Sequence, residues 1–237
     1  MTTKRKLIEY FSSAGSPRQV SWRMKCYEDG ALLASGIERT HFALKGKKVL
    51  DMACGWGGHA IAFAHAGAQV VAADLNDHDF ARLSAYCKRE TLPIRVMKAD
   101  CQRVPTDEKF DVILALDLIE HIESPDALAQ EIRRLLAPGG ICILTTPPKL
   151  LSAIWGEPHW GGLKGIALLP LAAQSWIARK LFGLSYPFPI THQFLHAGQV
   201  AKLFSGMRCT AHPVSRKFPI ASLPWGRFEI TADRSAD

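Results

Sequence analysis

Residues 48–74 constrain the fold of this chain more than any other stretch. A short apolar strand at residues 49–50 ends at Asp51, and a turn of small residues separates it from a helix rich in alanine and isoleucine. A second apolar strand, at residues 70–73, ends at Asp74. This pattern predicts a β-α-β unit whose first turn binds a ligand, with an acid roughly 20 residues further on that is placed to hold a ribose.

The alternation of strands and helices continues to residue 147 and resumes near the end of the chain. Further predicted strands lie at residues 94–97, 110–115, 141–144, 208–214 and 227–231, the last two as a hairpin at the sheet edge. Predicted helices lie at residues 77–90, from Ser124 and Pro125 to a stop at residues 138–140, and at 197–207. Repeated β-α-β units require right-handed crossovers. The sequence therefore predicts an α/β fold: a Rossmann-like, doubly wound, mostly parallel seven-stranded sheet with helices on both faces.

We expect one domain over residues 1–237, built from four parts. Residues 1–47 are an N-terminal helical flap with a loop at 12–17, residues 48–147 the cofactor-binding core, residues 148–190 an insertion, and residues 191–237 a C-terminal helix with edge strands. The apolar residues of the flap recur at helical intervals. The flap could cover a ligand or simply pack against the sheet.

The insertion at residues 148–190 breaks the strand-helix rhythm with three tryptophans and several glycines and prolines. Part of it has an apolar stripe at helical spacing, formed by Leu169, Ala173, Trp176, Ile177 and Leu181. The apolar run is too short to cross a bilayer. Three interpretations fit: a substrate lid, an amphipathic element on a membrane surface, or a helix packed on the body. We favour a lid, with peripheral membrane contact as a second role.

Charge is unevenly distributed along the chain, whose net charge is +7. Residues 48–147 hold 10 Lys and Arg against 14 Asp and Glu, whereas residues 1–47 hold 9 against 4 and residues 148–237 hold 10 against 4. The acidic middle suits a cationic ligand. The basic flanks suit an anionic substrate or an anionic membrane surface, or serve solubility alone.

The six cysteines are scattered, without a CxxC pair or a His/Cys cluster at zinc spacing. We therefore expect reduced thiols and no metal. The first residues, MTTKRKLIEYF, lack the apolar stretch of a signal peptide. These features predict a cytoplasmic protein, peripheral to a membrane if the insertion binds one.

The first turn differs from a turn that binds a dinucleotide. A dinucleotide-binding turn reads GxGxxG directly after its strand, whereas here the sequence DMACGWGG places Asp51 two residues before the small residues. A carboxylate at that position would repel a pyrophosphate but suits a ligand with positive charge and no phosphate. S-adenosylmethionine is such a ligand, because it combines a sulfonium, an ammonium, a ribose and an adenine.

The motif VLDMACGWGG resembles the first motif of class I S-adenosylmethionine-dependent methyltransferases, an acid and then GxGxG, with Ala53 in place of the first glycine. VVAADLN is similar to the segment whose acid, here Asp74, holds the ribose, and KADCQRVP to the segment in which Asp100 reads the adenine. FDVILALDLIEHI and LLAPGGICILTTP match the fourth motif and the helix and strand after it. The resemblance covers about residues 48–147.

LDLIEHI and the later THQF and AGQVAKLF are most similar to the ubiquinone-biosynthesis O-methyltransferase branch of small-molecule methyltransferases. The insertion, with WGEPHWGG, departs from that pattern, so the substrate is not carried over. The resemblance implies a cofactor site of ten residues: Asp51, Ala53, Cys54, Gly55, Gly57, Asp74, Leu75, Asp100, Cys101 and Leu116.

The residue types at these positions suit their implied roles. Gly55 and Gly57 let the backbone approach the ligand closely. Leu75 and Cys101 would contact the adenine ring, and Leu116, or Asp117 beside it, would lie where the methionine end of the cofactor meets the acceptor. The alternative for Asp74 and Asp100 is that they cap the turns that follow them.

We expect methyl transfer to an oxygen of a small, hydrophobic or phenolic metabolite by in-line displacement, with S-adenosyl-L-homocysteine as the product. A phenol, with a pKa near 10, benefits from a general base. The candidate catalytic residues are His121 and His159, with His192 as a further histidine near the insertion. A lone histidine is also often structural.

Two alternatives stay open: N- or C-methylation of a small metabolite, and non-catalytic binding of S-adenosylmethionine. The sequence argues against methylation of a nucleic-acid base. Enzymes that act on exocyclic amines carry an Asn/Asp-Pro-Pro-aromatic signature after the fourth strand, and Ala115-Leu116-Asp117-Leu118 lacks it.

Overall fold

Strands and helices alternate over residues 48–98 and again over residues 110–145 in the computed structural model of the protein, but residues 99–109 between the third and fourth strands contain no helix. The structure describes residues 2–146, 153–154, 160–184, 195, 197–212 and 227–232 of the 237. Within these residues the helices are α1 (Thr3–Phe11), α2 (Pro17–Thr40), α3 (Gly58–His65), α4 (Phe80–Glu90), α5 (Pro125–Leu135), α6 (Leu171–Phe182) and α7 (Ala197–Leu203). The strands are β1 (Lys48–Met52), β2 (Gln69–Asp74), β3 (Ile94–Lys98), β4 (Phe110–Ala115), β5 (Leu136–Thr145), β6 (Arg208–His212) and β7 (Arg227–Thr231).

The strands form one seven-stranded sheet in the order β3-β2-β1-β4-β5-β7-β6. β1 pairs in parallel with β2, and β2 in parallel with β3, so that Asp51 lies opposite Ala72 and Asp74 opposite Lys98. β7 runs antiparallel to both β5 and β6. The predicted Rossmann-like, mostly parallel sheet with an antiparallel pair at one edge is confirmed.

Most predicted elements occur near their predicted positions, and two N-terminal boundaries were wrong. The helix predicted from Asp77 begins at Phe80, because the preceding residues form a turn in which the Phe80 N–H donates to the Asp77 carbonyl at 3.1 Å. The strand predicted at 141–144 begins at Leu136. The added residues 136–140 include Pro138 and Gly139, the latter with a φ of +71°. A Cβ on Gly140 would lie 3.1 Å from the Asp111 carbonyl oxygen of β4.

Two C-terminal boundaries also differ from the prediction. The helix predicted at 197–207 ends at Leu203, and a turn with Gly206 at a φ of +84° follows it. Strand β6 ends at His212, and the rest of its predicted length lies outside the described residues. Helix α5 begins as predicted, since the Ala127 N–H donates to the Ser124 hydroxyl at 3.2 Å.

By its contacts the chain divides into two compact units. The first comprises residues 1–114 and 134–140, and the second comprises residues 115–133 and 141–237. The single-domain organisation stays a prediction. The first unit contains the predicted N-terminal helices, α1 and α2, with the predicted break between them. Ser16 caps α2 through a reciprocal bond pair with Gln19, and Pro17 occupies its first position.

Two glycines allow α2 to lie directly on α3 within the first unit. A Cβ on Gly30 would lie 2.9 Å from the Cβ of Ala62, and a Cβ on Gly58 would lie 2.8 Å from the Cβ of Cys26. Interior packing leaves no room for such an atom. Helix α2 is therefore packed onto the helix that follows the first turn; whether the N-terminal helices also act as a flap stays a prediction.

In the second unit, the described part of the insertion has a small core of its own. Trp160, Ile166 and Ala178 are buried together, with Leu163 and Ile177 packed against them. The Trp160 indole N–H donates to Gln174 Oε1 at 3.1 Å, which satisfies two polar groups inside this core. No helix among the described residues combines the length and the apolar character needed to cross a membrane.

Candidate cofactor site

Asp51 is a buried carboxylate at the end of β1. Only 2% of the residue is exposed, and its Oδ2 accepts a hydrogen bond from the Ala60 N–H in the first turn of α3 at 3.1 Å. Burial raises the pKa of Asp51 to about 7, an effect that the Ala60 bond opposes and the nearby charge of Asp74 reinforces. A cationic ligand near this group would favour the charged carboxylate.

The turn after β1 is held by backbone hydrogen bonds. The Cys54 N–H donates to the Ala73 carbonyl of β2 at 3.0 Å, and the Gly57 N–H donates to the Cys54 carbonyl at 2.8 Å. Ala53, Gly55 and Gly57 have φ values of +59°, +50° and +74°. These values favour glycine, so Ala53 keeps its left-handed conformation at a cost of roughly 1–2 kcal/mol.

The two glycines of this turn have different surroundings. A Cβ on Gly57 would lie 2.7 Å from Cδ1 of Leu83, whereas a Cβ on Gly55 would meet nothing within 4 Å. Gly57 thus lets α4 pack against the turn, and Gly55 leaves an open surface beside it. The predicted close approach of a ligand is possible at Gly55.

Asp74 joins the end of β2 to this turn. Its Oδ2 accepts a hydrogen bond from the Gly55 N–H and its Oδ1 one from the Asn76 N–H, both at 2.9 Å. The turn-stabilising role that the sequence left open is therefore present. A carboxylate oxygen has two lone pairs, so each oxygen keeps one for a ribose hydroxyl.

The end of β3 brings Asp100 and Cys101 to the same edge of the three parallel strands. Asp100 is exposed, and its Oδ1 accepts from the Gln102 N–H at 2.9 Å. Burial raises the pKa of Cys101 to about 12, partly offset by a hydrogen bond from the backbone of Ala53. Leu75 is 65% exposed directly after Asp74. A neutral thiol and an exposed leucine are suitable walls for an aromatic ring.

The structure thus brings together nine of the ten predicted cofactor residues, all in the first unit, at the carboxyl ends of β1, β2 and β3. The nine are Asp51, Ala53, Cys54, Gly55, Gly57, Asp74, Leu75, Asp100 and Cys101. All six cysteines of the chain are free thiols. Among the described residues, no three His, Cys, Asp or Glu side chains are grouped as metal ligands would be.

Leu116 and His121 lie in the second unit. Leu116 is half-buried and precedes Asp117, whose N–H donates to the Thr145 hydroxyl and whose Oδ1 accepts from it, both at 2.8 Å. His121 is half-buried in the 3-10 turn Ile119–His121. Their roles stay predictions. His159, and His192 with it, lie outside the described residues.

The sequence assigned no role to Trp56, which lies between the two glycines of the turn. The Tyr10 hydroxyl of α1 donates to its carbonyl at 3.1 Å, and the Arg23 guanidinium of α2 lies 3.3 Å from its ring centroid. Tyr10 and Trp56 are 46 residues apart in the sequence. No local pattern indicates such a contact.

Part of the chain is similar in sequence to known methyltransferases. Residues 49–140 match the family model described as a methyltransferase domain. A ubiquinone biosynthesis O-methyltransferase from Psychrobacter cryohalolentis is 30% identical over 152 residues, which are 61% of this chain and 59% of that protein. The chain thus spans about three fifths of the length of the first curated relatives that it matches.

Two solved structures share the fold over nearly the whole chain. The PH0226 protein from Pyrococcus horikoshii is 19% identical, with a TM-score of 0.63, and the match covers 95% of this chain and 98% of that one. Magnesium protoporphyrin IX methyltransferase from Synechocystis, crystallised with S-adenosylhomocysteine, is 17% identical, with a TM-score of 0.55 and coverage of 98% and 94%.

Proposed function

We propose that the methyltransferase domain that this chain carries at residues 49–140 uses S-adenosylmethionine as its methyl donor. The observation that supports this most is the turn at residues 53–57, with buried Asp51 before it and Asp74 bonded to it. The donor has two cationic groups and no phosphate, which suits a carboxylate before the turn. Asp74 would hold the ribose and Asp100 the adenine amino group.

When bound, the cofactor supplies an electrophilic methyl group, which the acceptor takes by in-line displacement while S-adenosylhomocysteine is released. The protein mainly aligns the two reactants. Asp51, Gly55 and Gly57 would position the methionine end, and Leu75 and Cys101 would hold the adenine ring.

We propose an oxygen of a small hydrophobic or phenolic molecule as the acceptor. Support comes from the curated relatives, which are named as ubiquinone biosynthesis O-methyltransferases. His121 would remove the proton of a phenol as the bond forms, and His159 is the second candidate base. Methylation of nitrogen or carbon, or cofactor binding without turnover, are the alternatives.

Transfer of a labelled methyl group from S-adenosylmethionine to phenols, amines and lipid extracts tests this function. We expect label in a phenolic product, and about 100-fold slower transfer at saturating cofactor in His121→Ala, since a general base contributes 10²–10⁴-fold. Label in amines alone would support the nitrogen alternative. Cofactor binding with no labelled product from any of these acceptors would favour a binding protein.

Peripheral membrane contact of the insertion is a second proposal. The inner face of α6 is buried in the small core of the insertion, yet Trp176, Leu181 and Phe182 are 59%, 65% and 56% exposed. Arg179 and Lys180 lie on the same helix. Exposed apolar side chains beside basic residues suit an anionic lipid surface.

Co-sedimentation with vesicles that contain phosphatidylglycerol tests this contact. Trp176→Ser is expected to lower the bound fraction, because the indole ring would no longer enter the lipid interface. Trp22→Ser on α2, where the tryptophan is also 59% exposed, is the matched control. Equal loss in both variants, or no binding by the wild type, would leave the lid as the proposal for the insertion.

A further inference from the structure

The peptide and the ring of Trp56 are each held by a residue of the N-terminal helices. Tyr10 bonds its carbonyl oxygen, and Arg23 covers its ring. The distance between the Arg23 guanidinium and the ring lies well within the range of a cation-π pair. A segment far away in the sequence therefore fixes Trp56, which lies between the two glycines of the turn at residues 53–57.

Tyr10 and Arg23 are themselves fixed. The Tyr10 ring stacks on Tyr86 of α4, with centroids 4.4 Å apart and an angle of 25° between the planes. Arg23 Nη1 donates to the carbonyl oxygen of Phe11 at 2.7 Å and also to that of Ala14. Burial raises the pKa of Tyr10 well above its usual value, so its hydroxyl stays a hydrogen-bond donor at neutral pH.

The neighbours of Trp56 are held by other groups. Gly55 bonds Asp74, and Gly57 packs on Leu83. The bond from Tyr10 adds a separate restraint, on the orientation of the peptide plane between Trp56 and Gly57. The same peptide is also held through the Gly57 N–H, which donates to the Cys54 carbonyl at 2.8 Å. Without the bond from Tyr10 it would be held from that side alone, and the turn would populate other conformations more often.

We propose that Tyr10 and Arg23 are positioning residues for cofactor binding. They keep the turn at residues 53–57 in its binding conformation, while neither belongs to the set proposed to contact the cofactor. This proposal rests on the proposed function. Since the apparent dissociation constant varies inversely with the fraction of molecules in the competent conformation, loosening the turn weakens binding.

Tyr10→Phe removes one hydroxyl and keeps the stacked ring. We expect it to raise the dissociation constant of S-adenosylhomocysteine, measured by calorimetry, by about five-fold, a typical effect of one hydrogen bond. Tyr27→Phe is the matched control, because the Tyr27 hydroxyl lies 3.0 Å from His65 Nδ1 and also joins an N-terminal helix to α3, but away from the turn. It is expected to change the dissociation constant by less than about two-fold.

Arg23→Gln is expected to act in the same direction, because Gln can replace neither the stacked cation nor both backbone bonds. For Tyr10→Phe we also expect a raised KM for the cofactor with an unchanged kcat, which a general loss of stability would not produce. Thermal unfolding of each variant establishes that it is folded.

The outcomes separate this proposal from the proposed function. Failure of the folded wild type to bind S-adenosylhomocysteine would overturn the proposed function. Binding by the wild type that is unaltered in Tyr10→Phe, or weakened equally in Tyr27→Phe, would overturn the positioning role.

Discussion

The Asp74 carboxylate accepts a hydrogen bond from the Gly55 N–H at 2.9 Å, which ties the end of β2 to the turn after β1. The residue proposed to hold the ribose therefore also shapes the turn that faces the ligand. Asp51 completes the arrangement from the other side, through its bond to Ala60 at the start of α3. The half-buried carboxylate of Asp74 thus bonds the turn itself, and the fully buried one of Asp51 bonds the start of the helix that follows it.

Alanine substitutions at the two glycines of the turn separate binding from stability. Gly57→Ala is expected to lower the free energy of unfolding by about 1–3 kcal/mol, because its Cβ would overlap Leu83 and its φ is positive. Gly55→Ala costs roughly 1–2 kcal/mol in backbone strain alone, but its Cβ would occupy the open surface where the cofactor is proposed to lie.

Denaturant unfolding and cofactor titration of both variants check this contrast. The loss of cofactor affinity in Gly55→Ala should be larger than the loss expected from its lower free energy of unfolding. Equal effects of the two substitutions on both quantities would contradict the assignment of the open side of the turn.

The glycines between α2 and α3 are expected to be intolerant of a methyl group. Gly30→Ala and Gly58→Ala should each destabilise the protein by about 1–3 kcal/mol, since each new Cβ would lie within 3 Å of atoms of the facing helix. Gly36→Ala is the matched control on α2, because a Cβ there would meet nothing within 4 Å. It should stabilise the helix by roughly 0.5–1 kcal/mol. A loss of thermal stability in Gly36→Ala as large as that in the other two variants would refute the close packing of α2 on α3.

The free energy of unfolding is expected to depend on pH through the titration of Asp51. Its pKa is raised from 3.8 to about 7 in the folded protein. At a pH between these two values the native state therefore keeps a proton that the unfolded state has released. Stability from this group is therefore full below about pH 4 and is lost as the pH rises to about 7. The difference is equivalent to roughly 4 kcal/mol at most.

Asp51→Asn removes this titration, so a comparison with the wild type separates the effect of Asp51 from that of other carboxylates. One of these is Glu90, whose pKa is lowered by its hydrogen bonds to Lys6 and Arg89. Relative to the wild type, the variant should gain stability between pH 5 and pH 8 in denaturant unfolding. A stability difference that stays constant over this range would contradict the buried, proton-binding state of Asp51.

The hydrogen bond inside the insertion should matter for its local order. Trp160→Phe removes the indole donor and leaves the buried Gln174 Oε1 unpaired, at a cost of about 1–3 kcal/mol. Limited proteolysis of the purified protein should cut the insertion faster in this variant than in Trp176→Phe, where the replaced ring is exposed. Equal cleavage rates would show that the bond contributes little.

Local patterns were sufficient to predict where the strands lie along the chain and to place nine residues of the proposed cofactor site directly after the first three strands. They were insufficient for features that depend on contacts between residues far apart in the sequence. The contacts of Tyr10 and Arg23 with Trp56 join segments more than 30 residues apart. The start of β5 at Leu136, five residues before its predicted start, is likewise not indicated by the helix-breaking residues at 138–140.

Calorimetric titration with S-adenosylhomocysteine tests the central claim most directly. The wild type is expected to bind with a single-site isotherm. Asp74→Ala, which removes both the proposed ribose acceptor and the bond to Gly55, should weaken binding by at least about 100-fold, as expected for the loss of two charge-assisted hydrogen bonds. Unaltered affinity in a folded Asp74→Ala variant would contradict the placement of the cofactor at this turn.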